Sequence, residues 1–208
     1  MIPFEILGAF FIASVLLALA PGPDNIFVLT QSALRGRTAG LLVMLGLCTG
    51  LLVHTAAVAL GVAAIFQASE LAFNALKLAG AAYLLYLAWL SFRAGTEEIR
   101  GDAREQLTHG QLYRRGIIMN ITNPKVSIFF LAFLPQFADP ARGSLTVQML
   151  LLGLVFIIST VLVFGGVALA AGALGEWLSR SARAQKVMNR VAGVVFIGLA
   201  IRLATVER

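Results

Sequence analysis

The sequence predicts an all-α polytopic membrane protein of six transmembrane helices, arranged as two inverted three-helix repeats. Three observations carry this. Of 208 residues, 59% are apolar and 12% charged, and the mean hydropathy is +0.89. Soluble domains have about 45–50% apolar and about 25% charged residues. The apolar residues fall into six runs, each near the ~20 residues that cross a hydrocarbon core. The cations gather in alternate connections between those runs. Disordered, coiled-coil, collagen-like and disulfide-scaffold classes are excluded. Six spans also leave no room for a separate catalytic domain.

The runs lie at about 4–20, 39–65, 71–92, 117–138, 145–172 and 187–204. They form a single transmembrane transporter domain over 1–208. Half one is about 1–92, a cytoplasmic loop is about 93–116, and half two is about 117–208. Met1–Phe10 has no Lys or Arg, so no cleavable signal is expected there despite the Ala18-Leu19-Ala20 pattern. Cys48, the single cysteine, lies in an apolar run and reads as a small hydrophobe.

Eleven cations, Arg35, Arg37, Arg93, Arg100, Arg104, Arg114, Arg115, Arg180, Arg183, Lys186 and Arg190, fall on one side of the span pattern. Three, Arg142, Arg202 and Arg208, fall on the other. Cytoplasmic loops are the Lys/Arg-rich ones. Both termini are therefore expected outside the cytoplasm, in a cell inner (plasma) membrane protein. The net charge of +6 reflects this topology, and nucleic acid is not an expected partner. The mixed charges Glu97, Glu98, Arg100, Asp102, Arg104 and Glu105 predict a short solvated helix in the loop.

Two short matches suggest a repeat. Lys77-Leu78-Ala79-Gly80-Ala81 parallels Arg190-Val191-Ala192-Gly193-Val194, and Leu19-Ala20-Pro21 parallels Phe133-Leu134-Pro135. Three spans per half would invert the halves, with a binding site between them. Glycines and small residues (Gly36, Gly40, Gly46, Gly50, Gly80, Ala81, Gly165, Gly166, Gly172) predict close helix contacts. Such faces and the small size are compatible with a homodimer.

Polar residues inside spans need a reason, since a charge there costs at least about 2.5–3.5 kcal/mol. Pro21-Gly22-Pro23-Asp24-Asn25 cannot continue a regular helix. A straight helix from Phe4 to Leu34 would be about 46 Å long against a core of about 30 Å. A broken helix is expected, with Pro23 opening the second piece and Asp24 in its first turn. The second such place is Asn120-Ile121-Thr122-Asn123-Pro124-Lys125, with Asn123 as N-cap and Pro124 as first helical residue. On a continuous helix Asn120, Asn123 and Ser127 share a face, and Lys125 points about 160° from Asn123. Asp24 as a surface cap, and Lys77 and Lys125 as snorkelling cations, remain the plain alternatives. Thr30 and Gln31 are further polar positions. His54 reads as a hydrogen-bonded core histidine, out of register with Cys48 for a metal site.

These residues resemble the lysine exporter / homoserine–threonine resistance (LysE/RhtB) family of amino-acid exporters. The resemblance rests on Pro21-Gly22-Pro23-Asp24, Arg35-Gly36…Gly40…Gly46…Gly50 and Lys77-Leu78-Ala79-Gly80-Ala81-Ala82-Tyr83-Leu84. Asn123-Pro124-Lys125, Phe129-Phe130 and Leu134-Pro135-Gln136-Phe137 complete it, so that nearly the whole chain is covered. It implies a small inner-membrane secondary transporter exporting amino acids by proton antiport, without catalytic residues, metal or cofactor. Asp24 would then meet the substrate ammonium or carry the coupled proton. Lys125 or Lys77, with the helix start at Asn123-Pro124, would meet the carboxylate. The substrate and proton pathway is expected at Pro21, Gly22, Pro23, Asp24, Asn25, Lys77, Asn120, Asn123, Pro124 and Lys125. Neutral amino acids are favoured because Asp24 is the one acid among these pathway residues.

Other classes compete. An exporter of another small solute or metal ion shares this build, although no Cys/His/carboxylate cluster is present. An intramembrane enzyme needs a motif such as H-E-x-x-H, and His54 and His109 sit in none. A non-transporting assembly protein would need a large soluble surface, which the short loops do not offer.

Overall fold

The polypeptide is broken wherever proline or glycine makes a continuous helix impossible, and these breaks organise the fold. The computed structural model describes residues 2–20, 22–62, 70–94, 107–180 and 182–205. Among them are eight α-helices and no strand. Helix α1 runs Phe4–Leu19 and α2 Pro23–Arg35. Pro23 occupies the first turn of α2, where its missing N–H is harmless. Gly36, with φ +85°, turns the chain from α2 into α3, Arg37–Ala57. That backbone conformation favours glycine. Gly36 is therefore a turn residue, not part of a packing stripe. A π-helical turn, Val58–Val62, ends α3.

Helix α4 spans Glu70–Arg93 and α5 His109–Thr122. The second half thus begins its helix earlier than apolarity alone suggests. Thr108 and Gln111 form a reciprocal capping box, with bonds of 3.3 and 2.7 Å, that starts α5 in polar sequence. The charged stretch from Glu97 to Glu105 lies outside the described residues. Asn123 interrupts the chain, and α6 follows at Pro124–Ile128. It continues as a π segment, Phe129–Phe133, and a 3-10 turn, Leu134–Phe137. The second break therefore sits at Asn123-Pro124, and Pro135 belongs to the later 3-10 turn. Helix α7 covers Leu145–Arg180 and α8 Ala182–Thr205.

Three stretches, Arg37–Gly61, Leu145–Ala170 and Gln185–Thr205, are long and apolar enough to cross a membrane. The bent pairs α1–α2 (63°) and α5–α6 (50°) raise the number to as many as five among the described residues, by length and composition.

Small residues set the helix contacts. A Cβ on Gly46 would collide with the Tyr113 carbonyl, and one on Gly116 with the Val43 carbonyl. Helices α3 and α5 therefore meet backbone to backbone, side by side in the same direction. Helices α3 and α7 run antiparallel, with Gly40 against Ala168 and Gly153 against Thr55. Gly165 and Gly166 do not make the tight α7 contact. The nearest atom to a Gly165 Cβ would be Met44 Sδ at 3.5 Å, and Gly166 faces nothing within 4 Å. Helices α4 and α8 are also antiparallel, with Gly193 under the Phe92 ring and Gly80 beside Ala132 and Leu203.

A phenylalanine cluster fills the space among α1, α7 and the π segment. Phe10 meets Phe137 at 5.0 Å, Phe129 meets Phe133 at 4.8 Å, and Phe130 meets Phe156 at 5.0 Å. All are buried. Burying each such ring contributes about 1.5–3 kcal/mol when water is the reference. The cluster holds the second break against the first.

Candidate functional site

Two helix breaks meet inside the protein, and each supplies what the other lacks. At the first, α1 ends with carbonyls that no further turn can satisfy. Lys125, from the second break, donates to two of them, Leu17 O at 3.3 Å and Ala20 O at 3.1 Å. An ammonium at a helix C-terminus also answers the negative end of the dipole. Asn25 Nδ2 donates to a third, Ala18 O, at 2.7 Å.

Asn123 ties the breaks together. Its Nδ2 donates to Asp24 Oδ2 at 2.8 Å, while its Oδ1 accepts from the Lys125 N–H at 3.0 Å. One side chain therefore caps α6 and holds the carboxylate in the first turn of α2. Asp24 (2% exposed), Asn123 (4%) and Lys125 (7%) are all buried. Lys125 and Asp24 also attract each other through space.

Lys125 is drawn into this cluster and does not snorkel. A helical wheel turns it away from Asn123, but Asn123 is extended, with φ −76° and ψ 109°. The wheel does not run through that residue. Gly22 leaves the ammonium its room, since a Cβ there would stand 3.1 Å from Lys125 Nζ.

Asn120 closes the far side. Its carbonyl accepts from the Asn123 N–H at 3.1 Å and lies 3.2 Å from His54 Nε2. The His54 ring also stands 5.5 Å from Phe130. This is the environment of a hydrogen-bonded packing histidine. Gly50 backs Asn120 closely, because a Cβ at position 50 would come within 2.7 Å of Asn120 Oδ1. Cys48 is half-buried, in a groove of about 340 Å³ with Thr49 and Tyr113, whose hydroxyls are 2.9 Å apart.

The breaks thus bring together Gly22, Asp24, Asn25, Asn120, Asn123, Pro124 and Lys125. Pro21 lies outside the described residues. Lys77 is half-buried on α4, and the hydrogen bonds joining Asp24, Asn123 and Lys125 do not include it. The carbonyls of Leu17 and Ala20 and the Gly50 backing escape sequence reasoning. Main-chain acceptors carry no residue signature, and only the broken helix hinted that they needed a donor.

Among the described residues, four buried side-chain oxygens have no hydrogen-bond partner: Asp24 Oδ1, Asn25 Oδ1, Gln31 Oε1 and Asn120 Oδ1. Gln31 lies two turns beyond Asp24 on the same face of α2. Buried acceptors without donors are uncommon. What completes them chemically is a hydrogen-bond donor: an ammonium, a hydroxyl or a proton on the carboxylate itself.

Known proteins share this sequence pattern. The LysE type translocator family matches residues 15–207. A homoserine/homoserine lactone efflux protein of Salmonella typhimurium is 36% identical over 203 residues, 97% of each chain. A Vibrio cholerae membrane protein is 34% identical over 96% of each chain. A leucine efflux protein of Salmonella choleraesuis is 28% identical over 95% of this chain and 94% of its own. No solved structure matches. With residues 15–207 matched to the family, and a relative above one-third identity across 97% of both chains, the chain belongs to the LysE type translocator family.

Proposed function

We propose that the chain is a secondary transporter, not an enzyme, that exports neutral amino acids from the cytoplasm across the inner membrane in exchange for protons. The observation that carries this reading is the buried, unpartnered Asp24 Oδ1 at the meeting of two broken helices, where the Lys125 ammonium binds the carbonyls that end the first. A zwitterion needs an acceptor for its ammonium and a cation for its carboxylate. Asp24 and Lys125 are those two groups, held by opposite breaks. Broken helices at mid-membrane are where transporters bind solutes. Asp24 is also the group able to take the coupled proton, as the carboxylate of this cluster.

The efflux relatives are named for homoserine and leucine, both with uncharged side chains. This supports the neutral preference, as does the lack of a second acid in the cluster. In this reading α4 is also a span, the third in chain order, which brings the number to six, since its 24 residues extend about 36 Å. The halves 1–92 and 117–208 are then inverted. The antiparallel pairs α3–α7 and α4–α8 support that arrangement, and the cation bias supports termini outside the cytoplasm.

The test is efflux from proteoliposomes preloaded with a panel of labelled amino acids, with and without an imposed pH gradient. Gradient-sensitive efflux of neutral amino acids is expected. Folded protein that releases none of the panel overturns the reading, and efflux indifferent to the gradient removes the proton coupling alone.

A further inference from the structure

The outer seam between α4 and α8 carries a different kind of site. The two helices run antiparallel, with Asn189 Nδ2 3.5 Å from the Ala94 carbonyl and Phe92 against Gly193. At about 100° per residue, Trp89, Arg93 and Tyr86 lie about 60°, 100° and 120° around α4 from Phe92. On α8, Lys186, Arg190 and Arg183 lie about 60°, 100° and 120° around from Asn189, in the same sense. In an antiparallel pair, equal senses of rotation bring both stripes to the same side. The buried residues Leu84 and Ala88 on α4, and Ala192 and Phe196 on α8, turn the other way, toward the core.

The seam is graded along its length. At the end where α4 stops and α8 starts, Arg93 and Arg190 stand at one level, with Lys186 and Arg183 beyond them. All four are exposed. The Arg93 guanidinium lies 4.7 Å over the Trp89 ring, which stacks on Tyr86 at 6.0 Å. A guanidinium held over an aromatic ring has N–H groups left for a phosphate. Toward the other end the seam is apolar, with Trp89 and Tyr86 each 49% exposed on one wall and Val194 63% exposed on the other.

We propose that this seam binds an anionic phospholipid, its phosphate held by Arg93, Lys186 and Arg190 and an acyl chain laid along Tyr86, Trp89 and Val194. Charge complementarity selects the occupant. Basic pockets between helices on the cytoplasmic side suit acidic headgroups, whereas a zwitterionic lipid brings an ammonium that four cations repel. The site stands apart from the Asp24–Lys125 cluster and does not depend on what that cluster transports.

The test uses the full chain in phosphatidylcholine bilayers with W177F, which leaves Trp89 as the one tryptophan. Quenching by brominated phosphatidylglycerol is compared with quenching by brominated phosphatidylcholine at equal content. The expected result is a preference of about threefold or more for the anionic lipid, unaffected by excess inorganic phosphate. The preference should fall to about one in R93Q/K186Q/R190Q. Equal quenching by both lipids in the parent protein overturns the proposal, as does a preference that survives the triple variant. Displacement by inorganic phosphate overturns it in favour of a soluble anion. Weak quenching by both lipids overturns it in favour of a second copy covering the seam.

Discussion

Asn123 donates a 2.8 Å hydrogen bond to the Asp24 carboxylate across 99 residues of sequence, and it is the joint between the two broken helices. Asn123→Ala removes that donor and the α6 cap together. Loss of a cap costs about 0.5–2 kcal/mol, and a buried carboxylate deprived of a donor about 1–3 kcal/mol more. The variant should melt several degrees lower in detergent. A melting temperature equal to the parent's would mean that the joint carries no stability.

Asp24→Asn keeps shape and removes charge. Gradient-driven efflux should fall about a hundredfold, the scale of a lost proton-transfer group. It also leaves the Lys125 ammonium buried without a carboxylate nearby, which costs several kcal/mol. The double variant with Lys125→Met removes the unpaired charge but leaves the Leu17 and Ala20 carbonyls without their donor, so it should regain only part of the thermal stability and no efflux. Full coupled efflux by Asp24→Asn alone would end the proton role.

The α3–α5 contact gives a prediction with an internal control. Gly46→Ala must push the two backbones apart and should cost about 1–3 kcal/mol. Gly166→Ala adds a methyl where nothing lies within 4 Å, so the gain in helix propensity, at most about 1 kcal/mol, decides its sign. Thermal melts of the pair should move in opposite directions.

The contacts of His54 with the Asn120 carbonyl and the Phe130 ring predict a packing role for it. His54→Gln should leave the pH profile of efflux unchanged and the rate within about twofold, while His54→Ala loses about 0.5–1.5 kcal/mol with its hydrogen bond. A shifted pH profile in His54→Gln would move the histidine into the proton path.

Asp139, in the turn before α7, accepts from Arg142 Nε at 2.8 Å and from the Ala141 N–H at 2.9 Å. These bonds hold its carboxyl below the ordinary range. A depressed folded value stabilises above the unfolded value, about 3.9, and the effect is lost as pH falls through the folded one. The melting difference between parent and Asp139→Asn should therefore be present at neutral pH, small because the pair is exposed, and gone in strong acid.

Both helix breaks were legible in the sequence, because prolines and glycines inside apolar runs leave few structural options. Pro23 and Asn123-Pro124 mark helix starts as expected. The direction of Lys125 was not legible, since a wheel assumes the continuity that Asn123 abolishes. The start of α5 was hidden because a capping box, not apolarity, begins that helix. Which glycines touch a neighbour depends on where helices cross, so Gly153 packs and Gly166 does not, though either fits a small-residue pattern.

The Lys125 ammonium that closes α1 reaches Ala20 across 105 residues, and this sets an order on biogenesis. At about 5–20 residues per second, about 5–20 s passes between synthesis of the first break and arrival of the residues that satisfy it. For that time Asp24 lacks its donor and α1 ends in open carbonyls, a state with no stable place in hydrocarbon. Burial of the first break is therefore a late event of synthesis, timed by the emergence of Asn123 and Lys125 from the ribosome.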